Sequence, residues 1–224
     1  MKHLKKVSVP QALNNQLNPP KYRGIFFDHV NCPIFAMSDS PMSPRLILSE
    51  KHFDITVNRL CFQLIENHDD FSKSAIIGLQ PRGVFLARRI TEKLKQFLPG
   101  ASILSGNLDI TFFRDDYRRR EQVIVPSSTQ IDFIIENRNV ILVDDVLYTG
   151  RTIRAALDAI LAFGRPGRVE LLTLINRKFS RDVPIEPNYT GKDIDTILSD
   201  KVRVTWKETE GKDEVWLYQK DKEA

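Results

Sequence analysis

Residues 140–143, Val-Ile-Leu-Val, form an apolar run with no polar alternation. A strand of that kind is buried on both faces, so helices must cover it from both sides of a parallel sheet. The run passes straight into Asp144 and Asp145 and, after Val146, Leu147 and Tyr148, into Thr149, Gly150, Arg151 and Thr152. Residues 152–163 then place Ile153, Ala156, Leu157, Ile160 and Leu161 on one helical face, with Gly164 and Pro166 to end the helix. Strand, loop and helix in that order set two carboxylates and a hydroxyl-bearing glycine turn at the carboxyl end of a buried strand. Parallel sheets bind their ligands there.

The alternation recurs along the chain. Ser49 is placed to cap a helix that carries Phe53, Val57, Leu60, Cys61, Leu64 and Ile65 at helical spacing. A short apolar strand over 74–79 ends in Gln80-Pro81-Arg82-Gly83, and a helix follows to about Phe97. Residues 108–113 read as a strand that runs into Arg114, Asp115 and Asp116, the start of a charged loop reaching 138. Residues 169–175 read as the next buried strand. Val202, Val204 and Trp206, then Val215 and Leu217, alternate around Glu210-Gly211-Lys212, the pattern of an antiparallel hairpin. The expected fold is α/β, with a mainly parallel sheet covered by helices on both faces. Loops 80–83, 114–121 and 144–152 all follow strands and are expected to share one rim.

Residues 1–45 are set apart by Pro10, Pro19, Pro20, Pro33, Pro41 and Pro44 and by the lack of any sustained period. They are expected to be an N-terminal extension, poorly ordered or loosely docked through Ile25-Phe26-Phe27. Translation from Met37 or Met42 is the other reading. Residues 46–224 are the expected folded domain. With 224 residues, 42% hydrophobic and 28% charged, the chain suits a single globular domain with an appendage. No apolar run approaches the ~20 residues that cross a bilayer, and no secretory apolar region opens the chain. Cys32 and Cys61 make neither a disulfide framework nor a metal spacing. A cytoplasmic protein with free thiols is expected. The net charge is +4, of which residues 1–41 hold +3, so the body is not a strongly basic nucleic-acid binder.

The loop 144–152 carries the clearest chemistry. A turn into a helix N-terminus offers free N–H groups and the positive end of the helix dipole, which together bind phosphate. Gly150 permits close backbone approach, while Thr149, Thr152 and Arg151 add donors and charge. Asp144 and Asp145 are acceptors suited to the vicinal hydroxyls of a sugar, or to Mg²⁺ directly or through water. Either half alone is ordinary strand-end or capping chemistry. Both together suit a sugar phosphate.

The run VILVDDVLYTGRT, 140–152, resembles the phosphoribosyl pyrophosphate (PRPP) signature of type I phosphoribosyltransferases. Over about 46–219 the chain is similar to the PyrR family, pyrimidine operon attenuators that are also uracil phosphoribosyltransferases. GLQPRGVFLARRI (78–90), LDITFFRDDYRRR (108–120), FGRPGRVELLTLINR (163–177), VPIEPNYTGKDI (183–194) and KVRVTWKETEGKDEVWLY (201–218) carry the resemblance. It implies the type I phosphoribosyltransferase fold, with a small hood and the C-terminal hairpin. It implies that Asp144 and Asp145 hold the ribose hydroxyls near Mg²⁺, and that Val146 to Thr152 form the PRPP loop, with Thr149, Gly150, Arg151 and Thr152 on the 5′-phosphate. Gln80, Pro81, Arg82 and Gly83 match the pyrophosphate loop; Arg114, Asp115 and Asp116 match the flexible loop that closes the site. Arg82, Arg114, Asp144 and Asp145 are the implied catalytic residues. Leu174, Ile175 and Arg177 are implied near the base.

The implied reaction joins uracil to PRPP, giving UMP and pyrophosphate with Mg²⁺. Purine relatives often carry an aspartate where this chain has Tyr148, which tilts the reading toward uracil and leaves no evident general base. The resemblance also implies a homodimer or homotetramer and, as the alternative function, a UMP- or UTP-sensing attenuator that binds an mRNA leader. For RNA, the first helix is a poor surface, with Lys51 and Arg59 set against Glu50, Asp54 and Glu66. Arg177, Lys178, Arg181 and Lys192 make the later segment better. His3, His29, His52 and His68 are scattered and receive no role; Trp206 and Trp216 are expected to pack the hairpin.

Overall fold

The computed structural model describes residues 42–115, 128–197 and 199–220. The expectations for residues 1–41, for Cys32 and for Asp116 lie outside the described residues. Among the described residues, eight strands and four α-helices follow in the order β1 (Met42–Leu48), α1 (Glu50–His68), β2 (Ser74–Leu79), α2 (Gly83–Phe97), β3 (Leu104–Leu108), β4 (Asn139–Leu147), α3 (Arg151–Ile160), β5 (Arg168–Lys178), β6 (Tyr189–Asp195), β7 (Lys201–Thr205), α4 (Lys207–Glu210) and β8 (Glu214–Lys220).

Strands β3-β2-β4-β5-β6 form a parallel sheet in that spatial order. Its apolar strands are buried as their composition requires: every residue of β2 is buried, as are Val140 to Asp145 of β4. Leu86, Ile90 and Leu94 of α2 pack with α1 against one face through Ile76, Ile141 and Val143. Ile153, Ala156 and Ile160 of α3 pack against the other face through Ile77, Val140 and Leu142. The chain leaves β2 toward β3 on one side and β4 toward β5 on the other. The strand order therefore reverses between β2 and β4, the place where open parallel sheets leave a crevice.

The hairpin is present as β7 and β8, paired antiparallel from Lys201↔Tyr218 to Thr205↔Glu214. A short helix, α4, fills its turn. β1 adds to its far edge, so residues 42–45 lie in a strand against β8. Trp206 is fully buried between Phe53 and Phe85, with ring centroids 5.4 and 5.6 Å away, and fastens this second sheet to α1 and α2.

Some boundaries differ from the sequence reading. The strand expected over 108–113 ends at Leu108. Asp109 accepts hydrogen bonds from Thr111 N at 2.8 Å and Thr111 Oγ1 at 2.5 Å, and this local turn starts a 3₁₀ segment over 111–113. β4 does not stop at the aspartates. It continues to Leu147, with Asp144 opposite Thr173 and Val146 opposite Ile175. β5 reaches Lys178, and β6 is an additional strand. Ser49 stands at the start of α1 without a side-chain cap, its Oγ lying 3.1 Å from His52 Nδ1. Among the described residues no helix is long and apolar enough to cross a membrane.

Candidate functional site

Loops 80–83, 109–115 and 148–150 meet at the carboxyl ends of β2, β3 and β4. Neighbouring residues of a strand face opposite sides of a sheet, so the two aspartates part company. Asp145 meets the start of α2, where Arg82 Nε donates to its Oδ2 at 3.0 Å. Asp144 faces a pocket of about 160 Å³ bounded by Arg114, Asp115 and the 146–152 loop. Its Oδ1 accepts from the Asp145 backbone N–H at 2.9 Å. Both residues are buried. Burial, reinforced by the Asp145 carboxylate, pushes Asp144 up to about 8. Burial also raises Asp145, against the pull of the Arg82 guanidinium.

Arg82 precedes α2, and Gly83 lets that helix approach β4 very closely. A Cβ on Gly83 would stand 2.3 Å from Val143 O and 3.0 Å from Asp144 Cα. Arg82 Nη2 donates to Val204 O, and Glu210 Oε2 lies 3.9 Å away, so the C-terminal sheet holds the guanidinium from behind. The Gln80–Pro81 peptide is cis, and Gln80 Nε2 donates to Ser128 O at 2.7 Å.

Gly150, at φ 86°, makes the left-handed turn that opens α3. The first N–H groups of α3 therefore open into the pocket beside the Thr149 and Thr152 side chains. Arg114 Nη1 donates to Thr152 Oγ1 at 3.3 Å. Asp115 Oδ2 accepts from Arg151 Nη1 at 2.6 Å and Arg154 Nη2 at 3.1 Å, and these guanidinium groups hold its carboxyl below the usual range, the hydrogen bond from Arg151 first. Asp115 is thus docked on the glycine turn.

Tyr148 lies beside Arg177, whose guanidinium carbon is 3.8 Å from the ring centroid. Arg177 is buried, donating to Thr196 Oγ1 at 3.0 Å and Ile197 O at 3.1 Å. Leu174 and Ile175 are fully buried in the core with Val143 and Leu172. Of the three residues expected near the base, only Arg177 stands beside the site.

Sequence reading missed Arg154, Arg181, Asp182, Thr196 and Glu210 around this site. Arg154 had a signal, standing one turn after Arg151 on α3. The others arrive through contacts distant in sequence. The missed His68 belongs elsewhere. It is buried at the amino ends of the strands, where Nδ1 lies 2.9 Å from Ser74 Oγ and Nε2 lies 3.1 Å from both Glu170 Oε2 and Tyr189 OH.

Residues 47–208 match the family described as phosphoribosyl transferase domain. The fold is shared with solved hypoxanthine phosphoribosyltransferases. That of Staphylococcus aureus superposes with a TM-score of 0.57 at 18% identity, over 76% of this chain and 90% of that one. That of Trypanosoma cruzi gives 0.60 at 12%, over 79% and 97%. Fold and matched domain define a phosphoribosyltransferase. Two relatives are nearer in sequence. The bifunctional protein PyrR of Elusimicrobium minutum is 39% identical over 177 residues, 79% of this chain and 98% of the relative. The pyrimidine operon regulatory protein of Lactococcus lactis is 41% identical over 180 residues, 80% of this chain and all of the relative. The chain belongs to the PyrR family of phosphoribosyltransferases.

Proposed function

We propose that this chain is a uracil phosphoribosyltransferase, which makes UMP and pyrophosphate from uracil and PRPP. One observation carries the reading: a single loop joins a dry carboxyl, Asp144, to a glycine turn at a helix N-terminus, around one pocket. The 5′-phosphate lies on Thr149, Gly150, Arg151 and Thr152, where backbone N–H groups and the dipole of α3 favour an anion. Asp144 accepts from the ribose hydroxyls, and Asp145 holds Arg82 toward the pyrophosphate.

In the reaction uracil N1 bonds to C1′ while the bond from C1′ to the pyrophosphate oxygen breaks, and the N1 proton is lost. Negative charge gathers on the leaving group, which Arg82 and Arg114 stabilise from two loops. The Asp145 carboxyl, which Arg82 pulls toward its ionised form, favours the positive charge that develops on the ribose. Closure of the loop that begins at Arg114 and Asp115 keeps water from C1′.

Among the described residues no cluster of three or more His, Cys, Asp or Glu side chains could hold a metal by itself. Two buried carboxylates nevertheless suit Mg²⁺, which is commonly held by one or two carboxylates together with substrate phosphates. Asp144 and Asp145 would hold it directly or through water. Bound there, Mg²⁺ supplies charge neutralisation to the pyrophosphate. Arg177 and Tyr148 border the base subsite, and no side chain there needs to serve as base if uracil reacts as its anion.

Assay of the full chain with PRPP, Mg²⁺ and a panel of pyrimidine and purine bases tests the reading. UMP from uracil is expected to dominate; no UMP would overturn it. The family members' names favour a second reading, UMP-sensitive binding of an mRNA leader. Arg177 and Arg181 are turned inward, leaving Lys178 and Lys192 exposed in that segment, so we rank catalysis first. Filter binding of the operon leader with and without UMP decides; tight UMP-dependent binding at physiological salt would reverse the ranking. Self-association as a homodimer or homotetramer fits the exposed Leu157, Leu161 and Phe163 on and after α3, and sedimentation measures it.

A further inference from the structure

We infer that Arg181 is a positioning residue that sets the 5′-phosphate turn by bolting the ends of β4 and β5 to the segment behind it. The inference rests on reading residues 148–152 as the phosphate cradle. That turn has little of its own to stiffen it. Gly150 is in the left-handed region, and the hydrogen bond from Arg151 N to Thr149 Oγ1 is long, at 3.5 Å.

Its support comes from residues 181–185. Thr149 O accepts from Asp182 N at 2.9 Å and Val183 N at 3.1 Å, and Asp182 Oδ2 accepts from Arg151 Nε at 2.9 Å. Arg181 ties this segment down. Its Nε donates to Ile185 O at 2.9 Å, closing 181–185 on itself. Its Nη1 reaches Tyr148 O, with Leu147 O at 3.4 Å and Arg177 O at 2.9 Å. Its Nη2 donates to Asn176 Oδ1.

The planar fork of a guanidinium can serve acceptors in several directions at once, which an ammonium on a flexible stem cannot hold in one geometry. The side chain is 15% exposed, its ion pair with Glu186 is long at 3.9 Å, and Asp193 adds a weaker charge. Four backbone carbonyls and the Asn176 side-chain amide, rather than a close ion pair, are what it holds. Tyr148 is the first residue of the turn and Asn176 the neighbour of Arg177, so one side chain fixes the phosphate side and the base side together.

The test uses the full chain. Ribose 5-phosphate is titrated by calorimetry into the wild type, Arg181→Lys and Arg181→Ala, with thermal melts to confirm folding. Binding is expected to weaken about tenfold in both variants, and KM for PRPP to rise about tenfold with kcat changed much less. Guanidinium chloride at low concentration should restore Arg181→Ala toward the wild type, while sodium chloride at equal strength should not. Folded variants that bind as the wild type does would overturn the inference alone. A wild type that binds no ribose 5-phosphate would overturn the PRPP reading, and this inference with it. Hydrogen exchange on the wild type needs no variant: ribose 5-phosphate should slow exchange over 176–185 as well as 148–152. Exchange unchanged over 176–185 would count against Arg181 as the link.

Discussion

Asp144 and Asp145 are chain neighbours, yet one faces the pocket and the other an arginine. Arg82 touches Asp145 and Val204 of the C-terminal sheet, and in the proposed reaction it faces the departing pyrophosphate. Arg82→Gln is therefore expected to lower kcat by about 10²–10³, the usual cost of removing one preorganised donor aimed at developing charge. Single-turnover kinetics, which separate chemistry from product release, measure it. Asp144→Asn should weaken PRPP binding more than it alters the melting temperature, because it removes a carboxyl that is already costly to bury. Equal loss of binding and stability would mean that Asp144 mainly supports the fold. The residue types of this site were legible, since paired carboxylates before a Thr-Gly-Arg-Thr turn announce it. Their division between two faces was not, because it depended on β4 continuing to Leu147.

At the scale of elements, the approach of α2 to β4 sets the site. Gly83→Ala would drive a methyl into Val143 O, so the helix must move. A loss of roughly 1–3 kcal/mol is expected, as for other overpacked contacts, read from urea unfolding. His68 ties the end of α1 to the amino ends of β2, β5 and β6. Burial holds it below the ordinary histidine value, against the opposing pull of Glu170. The unfolded chain then binds that proton more readily than the folded one, so stability falls as pH drops below about 6.5. The raised Asp144 and Asp145 carboxyls act in the opposite sense over this window, so the readout is a difference: from about pH 7.5 to 5.5 the melting temperature of the wild type should fall relative to that of His68→Gln. A parallel course in both proteins would point to other groups. The strands that sequence reading missed or misplaced along their length, β1, β3 and β6, are all edge strands. An edge strand satisfies one ladder and faces solvent, so its composition is loosely constrained: β1 holds Pro44 and β6 reads Tyr-Thr-Gly-Lys-Asp-Ile-Asp. The central strands carried their apolar runs openly because both faces are covered.

For the whole molecule, the proposed sugar-phosphate site joins α2, α3 and the central sheet, so a ligand that fills it should stabilise the fold. PRPP with Mg²⁺ at a hundred times its dissociation constant is expected to add about 2.7 kcal/mol, seen as a rise in melting temperature. Uracil alone, which touches only the base side, should give little. No shift with PRPP would count against the proposed site. The sequence by itself determined the parallel α/β class, the central strands and helices, and the loop 144–152 that we propose grips a sugar phosphate. Burial on both faces and a helix N-terminus leave local signatures in composition. Only the tertiary structure decided which aspartate faces the pocket, what holds Arg82, and that Arg181 braces the phosphate turn. Those contacts join residues far apart in the chain, and no local pattern encodes a hydrogen bond between one strand's end and another's.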